Sequence, residues 1–175
     1  ARAAGAMVMP GPPYYIPEAG LLSRVPSGVA YLHPGAGKLK NRWSVDRFAE
    51  VARALLARGL PVSVLEGPQD AGTAAALTAA VGRQLPLVRG ETVPMLAARF
   101  ARAALYVGND TGPLHLAGAV GCPTVGVYGW TDPDEWKPVG ARVRTVRAQD
   151  AKLESVSAAM VIEAAEAALE ERGGA

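Results

Sequence analysis

Residues 105–129 read L-Y-V-G-N-D-T-G-P-L-H-L-A-G-A-V-G-C-P-T-V-G-V-Y-G, and no other stretch restricts the fold as much. Two apolar runs, Leu105 to Val107 and Thr124 to Tyr128, are too short for helices and are rich in β-branched and aromatic residues. Between them stand a Gly/Asn/Asp/Thr/Gly turn, a short helical stretch opened by Pro113, and a Gly121-Cys122-Pro123 break. Two strands joined through a helix pair in parallel, so this segment commits the chain to a crossover of the βαβ type. The helix starts directly after a glycine-containing turn. Its first N–H groups lack intrahelical partners and carry about half a positive charge, which makes a site for phosphate. His115 falls in the first helical turn.

The same alternation runs through the rest of the chain. Strands are expected at Val29–His33, Pro61–Leu65, Leu85–Val88 and Arg142–Val146. Helices are expected at Ser44–Arg58, Ala71–Val81, Val93–Ala101 and Ser155–Glu171. In the first of these, Val45, Phe48, Ala49, Ala52, Leu55 and Leu56 recur at helical spacing, with Ser44 at the N-cap and Gly59 as the stop. Six strands alternating with helices of these lengths predict an α/β, Rossmann-like parallel sheet covered by helices on both faces. Residues 1–27 hold Pro10, Gly11, Pro12, Pro13, Pro17, Gly20 and Pro26 and are expected to be a linker or lead-in with little regular structure, leaving 28–175 as one domain.

Bulk properties exclude more than they assign. A net charge of +2 gives no support to a nucleic-acid partner. A single cysteine, Cys122, excludes an internal disulfide and a cysteine metal cluster and fits a reducing, cytoplasmic location. His33 and His115, with no paired acidic ligands, do not read as a metal site, and no cofactor is expected. No apolar run approaches the roughly 20 residues of a membrane-spanning helix. The chain begins Ala1-Arg2-Ala3-Ala4-Gly5, with no initiator Met and no signal-peptide pattern, and is expected to be a fragment or a processed product.

In open parallel sheets ligands bind beyond the carboxyl ends of the strands, where strand order reverses. That rule selects four loops. The first, His33-Pro34-Gly35-Ala36-Gly37-Lys38-Leu39-Lys40-Asn41-Arg42-Trp43, offers a glycine backbone at 35–37 and cations at Lys38, Lys40 and Arg42. It is not a P-loop, because Leu32 and Leu39 occupy places that the NTPase motif reserves for glycine and a hydroxyl. Trp43 reads as a packing anchor. The second, Glu66-Gly67-Pro68-Gln69-Asp70, serves equally as a ribose-binding carboxylate loop or as a helix entry with Asp70 as N-cap. The third concentrates Asn109, Asp110, Thr111, Gly112 and His115 at one sheet terminus beside a helix dipole and is read as a ligand site, with Asp110 or Thr111 also able to cap the helix. The fourth, Gly129 to Trp136, carries two tryptophans and three acids, with an aromatic available to stack on a base or sugar. Cys122, Pro123 and Tyr128 read as structural, and no G-x-S-x-G elbow supports a serine hydrolase.

These motifs together resemble glycosyltransferase family 9, the bacterial heptosyltransferases of the lipopolysaccharide inner core. The resemblance rests on H-P-G-A-G and N-R-W-S-V-D-R-F-A-E-V-A within 33–52, on G-P-Q-D at 67–70 after its strand, and on G-N-D-T-G-P-L-H-L-A-G-A-V-G-C-P-T-V-G-V-Y-G at 108–129. It implies the donor-binding C-terminal half of a two-domain GT-B enzyme, with 1–27 as interdomain linker. It further implies that Asn109, Asp110, Thr111, Gly112 and His115 lie at the diphosphate and sugar of a nucleotide-sugar donor such as ADP-heptose. Lys40 or Lys38 would neutralise phosphate over the 35–37 backbone, and Asp70 would lie near the ribose. Asn41 and Ser44 depart from the basic residue and proline that many relatives carry there. The resemblance places the catalytic base and the lipopolysaccharide-core acceptor in an N-terminal domain absent from this chain, the full enzyme being cytoplasmic and at most peripheral to a membrane. Two other functions are compatible with the same loops, a stand-alone nucleotide-binding module without turnover and a sugar-nucleotide epimerase-like enzyme.

Overall fold

The computed structural model describes residues 14–170. Six parallel strands, β1 (Ala30–His33), β2 (Val62–Glu66), β3 (Leu87–Arg89), β4 (Leu105–Asn109), β5 (Thr124–Tyr128) and β6 (Val143–Arg147), form one sheet in the order β3-β2-β1-β4-β5-β6. This is the doubly wound arrangement of nucleotide-binding domains, with the strand order reversing between β1 and β4. The expected α/β, Rossmann-like class is therefore the observed one.

The four inner strands, β2, β1, β4 and β5, supply both faces of the sheet, whereas the edge strands β3 and β6 each bury one residue, Val88 and Val146. Leu32, Val64, Val107, Val125 and Val127 point towards α2 (Val45–Ala57), α3 (Thr73–Val81) and α7 (Ala158–Glu170). Tyr31, Leu65, Val88, Tyr106 and Tyr128 point towards α4 (Val93–Arg102) and α5 (Gly112–Ala119). Strands buried on both sides lose the polar alternation of a half-exposed sheet, which is why they read as continuous apolar runs. The second face is held by aromatic packing: Phe100 lies edge-on to Tyr31 at 5.9 Å and to Tyr106 at 5.0 Å.

The element ends differ from the sequence expectation for identifiable reasons. Ser44 sits at the N-cap of α2, but its side chain makes no capping hydrogen bond. Gly59, at φ +78, stops the helix as expected. The α3 helix starts at Thr73, two residues late, with Gly72 at its N-cap, so Asp70 does not cap it. The last helix starts at Ala158 because Leu153–Ser155 form a separate 3-10 turn. Two short helices were not expected, α1 (Ala19–Leu22) and α6 (Pro133–Trp136).

The lead-in is more ordered than its composition suggests. The Tyr14 and Tyr15 N–H groups both donate to the Ala119 carbonyl, at 2.7 and 3.0 Å, and α1 packs on α4. Residues 1–13 of the expected linker, and the last residue of the expected C-terminal helix, Glu171, lie outside the described residues. Among the described residues no helix is long and apolar enough to cross a membrane.

Candidate functional site

The register pairs Ala30 with Leu105 and His33 with Gly108, so β1 and β4 end level at the centre of the sheet. Their following loops, flanked by those after Glu66 and Tyr128, meet at one edge. Asn109 joins the two central loops. Its side chain is completely buried; its amide nitrogen donates to the carbonyls of Pro34 and Gly35 at 3.0 and 3.1 Å, and its carbonyl oxygen accepts from the Trp43 N–H at 3.0 Å. That side chain has no surface left for a ligand, so Asn109 acts by holding the first loop rather than by contact. Trp43 is the anchor expected of it: 1% exposed, edge-on to Phe48 at 5.0 Å, with its indole N–H donating to the Val156 carbonyl at 2.9 Å.

The first loop is closed on its own carbonyls. Arg42 donates from Nε to the Ala36 carbonyl at 2.8 Å and from its terminal nitrogen to the Gln69 carbonyl at 3.0 Å, tying this loop to the second. The glycines leave room for that second loop. A Cβ on Gly35 would overlap the Asp70 carboxylate, and one on Gly37 would stand 2.7 Å from Gln69 Oε1. Neither glycine has a positive φ. Both serve close approach of loop to loop. Lys38 and Lys40 lie on the exposed rim.

Asp70 is 4% exposed and bound inside the framework. Its carboxylate accepts from the Gly67 N–H at 2.5 Å and lies 2.7 Å from Nε2 of the equally buried His33. Burial works against its charge, but the hydrogen bonds from His33 and Gly67 prevail and hold the carboxyl below its ordinary value. The other ring nitrogen of His33, Nδ1, lies 3.3 Å from both the Tyr106 and the Thr111 hydroxyl. This pairing of residues 37 positions apart has no local sequence signal. Glu66 is also committed: its carboxylate accepts from the Gly72 and Ala74 N–H groups at 2.8 and 3.0 Å, neutralising the start of α3.

The third loop stays open. Thr111 is the N-cap residue of α5 and is half-buried, with its hydroxyl making no cap bond and lying 3.3 Å from the Asn109 carbonyl. Gly112 is exposed, with nothing within 4 Å of where a side chain would begin. His115 is partly exposed, its Nε2 3.5 Å from the Asp110 carboxylate. A cleft of about 360 Å³ runs from Thr111 and Gly112 across the ends of β1, β2 and β3. Leu65, Val88 and Leu96 give it apolar walls, and Glu91 stands at its far side. The Glu91 carboxylate is held by a two-pronged Arg99 pair at 2.7 and 2.5 Å, which fixes the loop after β3. An acid eight residues before an arginine, across a helix start, is the only sign of this pair in the sequence.

In the fourth stretch Trp130 folds back on the first loop. Its indole N–H donates to Asn41 Oδ1 at 2.9 Å, and Lys40 Nζ lies 3.9 Å from its ring centre. Asp132 caps α6 by accepting from the Asp134 N–H, and Trp136 is exposed. Among the described residues no group of three or more His, Cys, Asp and Glu is placed to hold a metal ion.

A doubly wound sheet with an apolar cleft ending on a helix N-terminus, beside the point of strand reversal, has its cleft where open α/β sheets take ligands. The chain belongs to glycosyltransferase family 9 (heptosyltransferase), whose family model matches residues 17–165. It is 34% identical over 111 residues to lipopolysaccharide heptosyltransferase 3 of Escherichia coli, an alignment covering 61% of this chain and 33% of the relative. Its fold matches E. coli ADP-heptose lps heptosyltransferase II with a TM-score of 0.82, at 21% identity, over 98% of this chain and 57% of that one. It also matches E. coli heptosyltransferase WaaC with ADP, with a TM-score of 0.76 at 23% identity, over 85% and 47% of the two chains. The chain thus spans about a third of the length of the curated relatives it matches.

Proposed function

We propose that this chain is the donor-binding half of a heptosyltransferase, taking a nucleoside-diphosphate sugar of the ADP-heptose class for inverting transfer to a lipopolysaccharide-core acceptor. The observation that carries it is the cleft ending on the open start of α5. A planar base and ribose suit the apolar walls at Leu65, Val88 and Leu96. The diphosphate then reaches the Gly112 N–H and the Thr111 hydroxyl, where the helix dipole favours negative charge. Asp110, which lies beside His115, suits sugar hydroxyls better than phosphate, because a carboxylate accepts hydrogen bonds and repels an anion.

As the glycosidic bond breaks, negative charge grows on the departing diphosphate. Fixed donors at the α5 start, with Lys40 or Lys38 swinging from the rim, stabilise that charge without a metal, as preorganised donors do in oxyanion holes. Asn109 and Arg42 support the site from behind by fixing the loops, and Asp70, which lines the cleft, is held there by His33. The base that deprotonates the acceptor is assigned to a further domain, and the whole enzyme to the cytoplasmic side, at most peripheral to the membrane.

Calorimetric titration of the folded chain with ADP-heptose, ADP and UDP tests this. Binding of the adenine ligands is expected. No heat with any of the three would remove the proposal.

A further inference from the structure

We propose that Tyr106, which no ligand can reach, aims the hydroxyl of Thr111 at the donor phosphate by occupying the single lone pair of His33, whose ring Asp70 orients. The proposal rests on the donor-binding function above and adds positioning residues to it. Tyr106, His33 and Asp70 are 0%, 4% and 4% exposed. The Asp70 carboxylate is an acceptor, so Nε2 of His33 carries the proton across the 2.7 Å contact. With the proton on Nε2 alone, Nδ1 is an acceptor with one lone pair. Two hydroxyls, those of Tyr106 and Thr111, both stand 3.3 Å from it. Only one can donate to it.

Burial decides between them. The Tyr106 phenol is sealed in the sheet and its ionisation is strongly suppressed by desolvation, so it always has a proton to place. A buried O–H left without an acceptor costs more than its bond returns, and His33 Nδ1 is within its reach. Thr111 stands at the cleft, has the Asn109 carbonyl as an alternative at 3.3 Å, and can turn to a ligand. Tyr106 therefore takes the ring nitrogen, and the Thr111 hydroxyl, which lies beside the Tyr106 oxygen as well as the Asn109 carbonyl, is released from Nδ1 and can turn to a ligand.

The surrounding sequence makes room for this arrangement. A Cβ on Gly108 would stand 2.6 Å from the Tyr106 hydroxyl oxygen, and a Cβ on Gly35 would overlap the Asp70 carboxylate. Two glycines in the loops read as phosphate-approaching thus clear space for the hydroxyl and the carboxylate that bracket His33.

The test is a double-mutant cycle on ADP binding by calorimetry, using Tyr106→Phe and Thr111→Val. Phe keeps the ring in the core and removes only the hydroxyl. Nδ1 then recruits the Thr111 O–H, and ADP binding is expected to weaken by about tenfold, the order of a hydrogen bond to a charged group. In the Thr111→Val background Tyr106→Phe is expected to change nothing further, and in a Thr111→Ser background, which restores the hydroxyl, the tenfold loss is expected to return. An equal loss in all three backgrounds, or none in the wild-type background, overturns the proposal. Should Tyr106→Phe fail to fold, the wild-type chain decides alone: its two histidines give assignable ring nitrogens in 15N NMR. A His33 with bare Nδ1 and protonated Nε2 is expected, and a protonated Nδ1 overturns it. If wild-type chain binds no ADP, the donor-binding function fails, whereas the ring tautomer can still be read.

Discussion

The loop after β1 and the loop after β4 look alike in sequence, each with glycines, polar side chains and a following helix, yet they are built for opposite purposes. The first is turned inward: its carbonyls at Pro34, Gly35 and Ala36 are all taken by Asn109 or Arg42, and its glycines make way for Asp70 and Gln69. The second faces outward, with open space at Gly112 and a Thr111 hydroxyl that caps nothing. A glycine beside a strand end marks close approach, but whether to a ligand or to another loop is decided by residues far away in the chain.

The comparison breaks most readily at Asn109. Asn109→Ala deletes three buried hydrogen bonds and strands their backbone partners; a loss of about 3 kcal/mol in urea unfolding is expected. A loss under about 1 kcal/mol would mean the first loop does not depend on it. Next comes Gly35→Ala, which drives a methyl into the Asp70 carboxylate and should cost about 2 kcal/mol by the same measurement. The same change at Gly112 meets nothing and should leave stability within about 0.5 kcal/mol of wild type. Equal costs at both glycines would erase the contrast.

Smaller effects sharpen the outward-facing side. Lys40→Ala or Lys38→Ala should leave unfolding unchanged and weaken ADP binding several-fold for whichever lysine meets phosphate, more at low salt than high, as measured by calorimetry at two ionic strengths. The smallest effect concerns acid. Asp70 has its carboxyl lowered in the folded state, so its contribution is complete above the ordinary value of 3.8 and is lost as pH falls below that through the folded value. Asp70→Asn should therefore flatten the acid limb of a stability-versus-pH curve below about pH 4 and leave its shape near neutrality intact.

Much of the fold was legible because burial on both faces marks a strand wherever it occurs; Thr124–Tyr128 was read to the residue. Errors arose where a distant group sets the boundary. The α3 helix begins late because Glu66 captures the Gly72 and Ala74 N–H groups, and the last helix is delayed because the Val156 carbonyl accepts from Trp43 and Arg47. The site followed the same division. Which loops gather at one edge follows from strand alternation alone. That His33 faces Asp70, that Arg42 reaches Gln69, and that Trp130 bonds to Asn41 depend on residues 27 to 89 positions apart, which no periodicity encodes.

The Trp43 indole reaches across 113 residues to the Val156 carbonyl, beside the turn that opens the last helix. A chain growing from its N-terminus completes all six strands before that carbonyl exists, so the sheet can assemble while the loop after β1 still lacks its anchor. Contacts this distant are slow to close and come late in folding. Competence to hold a nucleotide should accordingly appear in one step, once α7 has been made and docks, and not in proportion to the length of chain made.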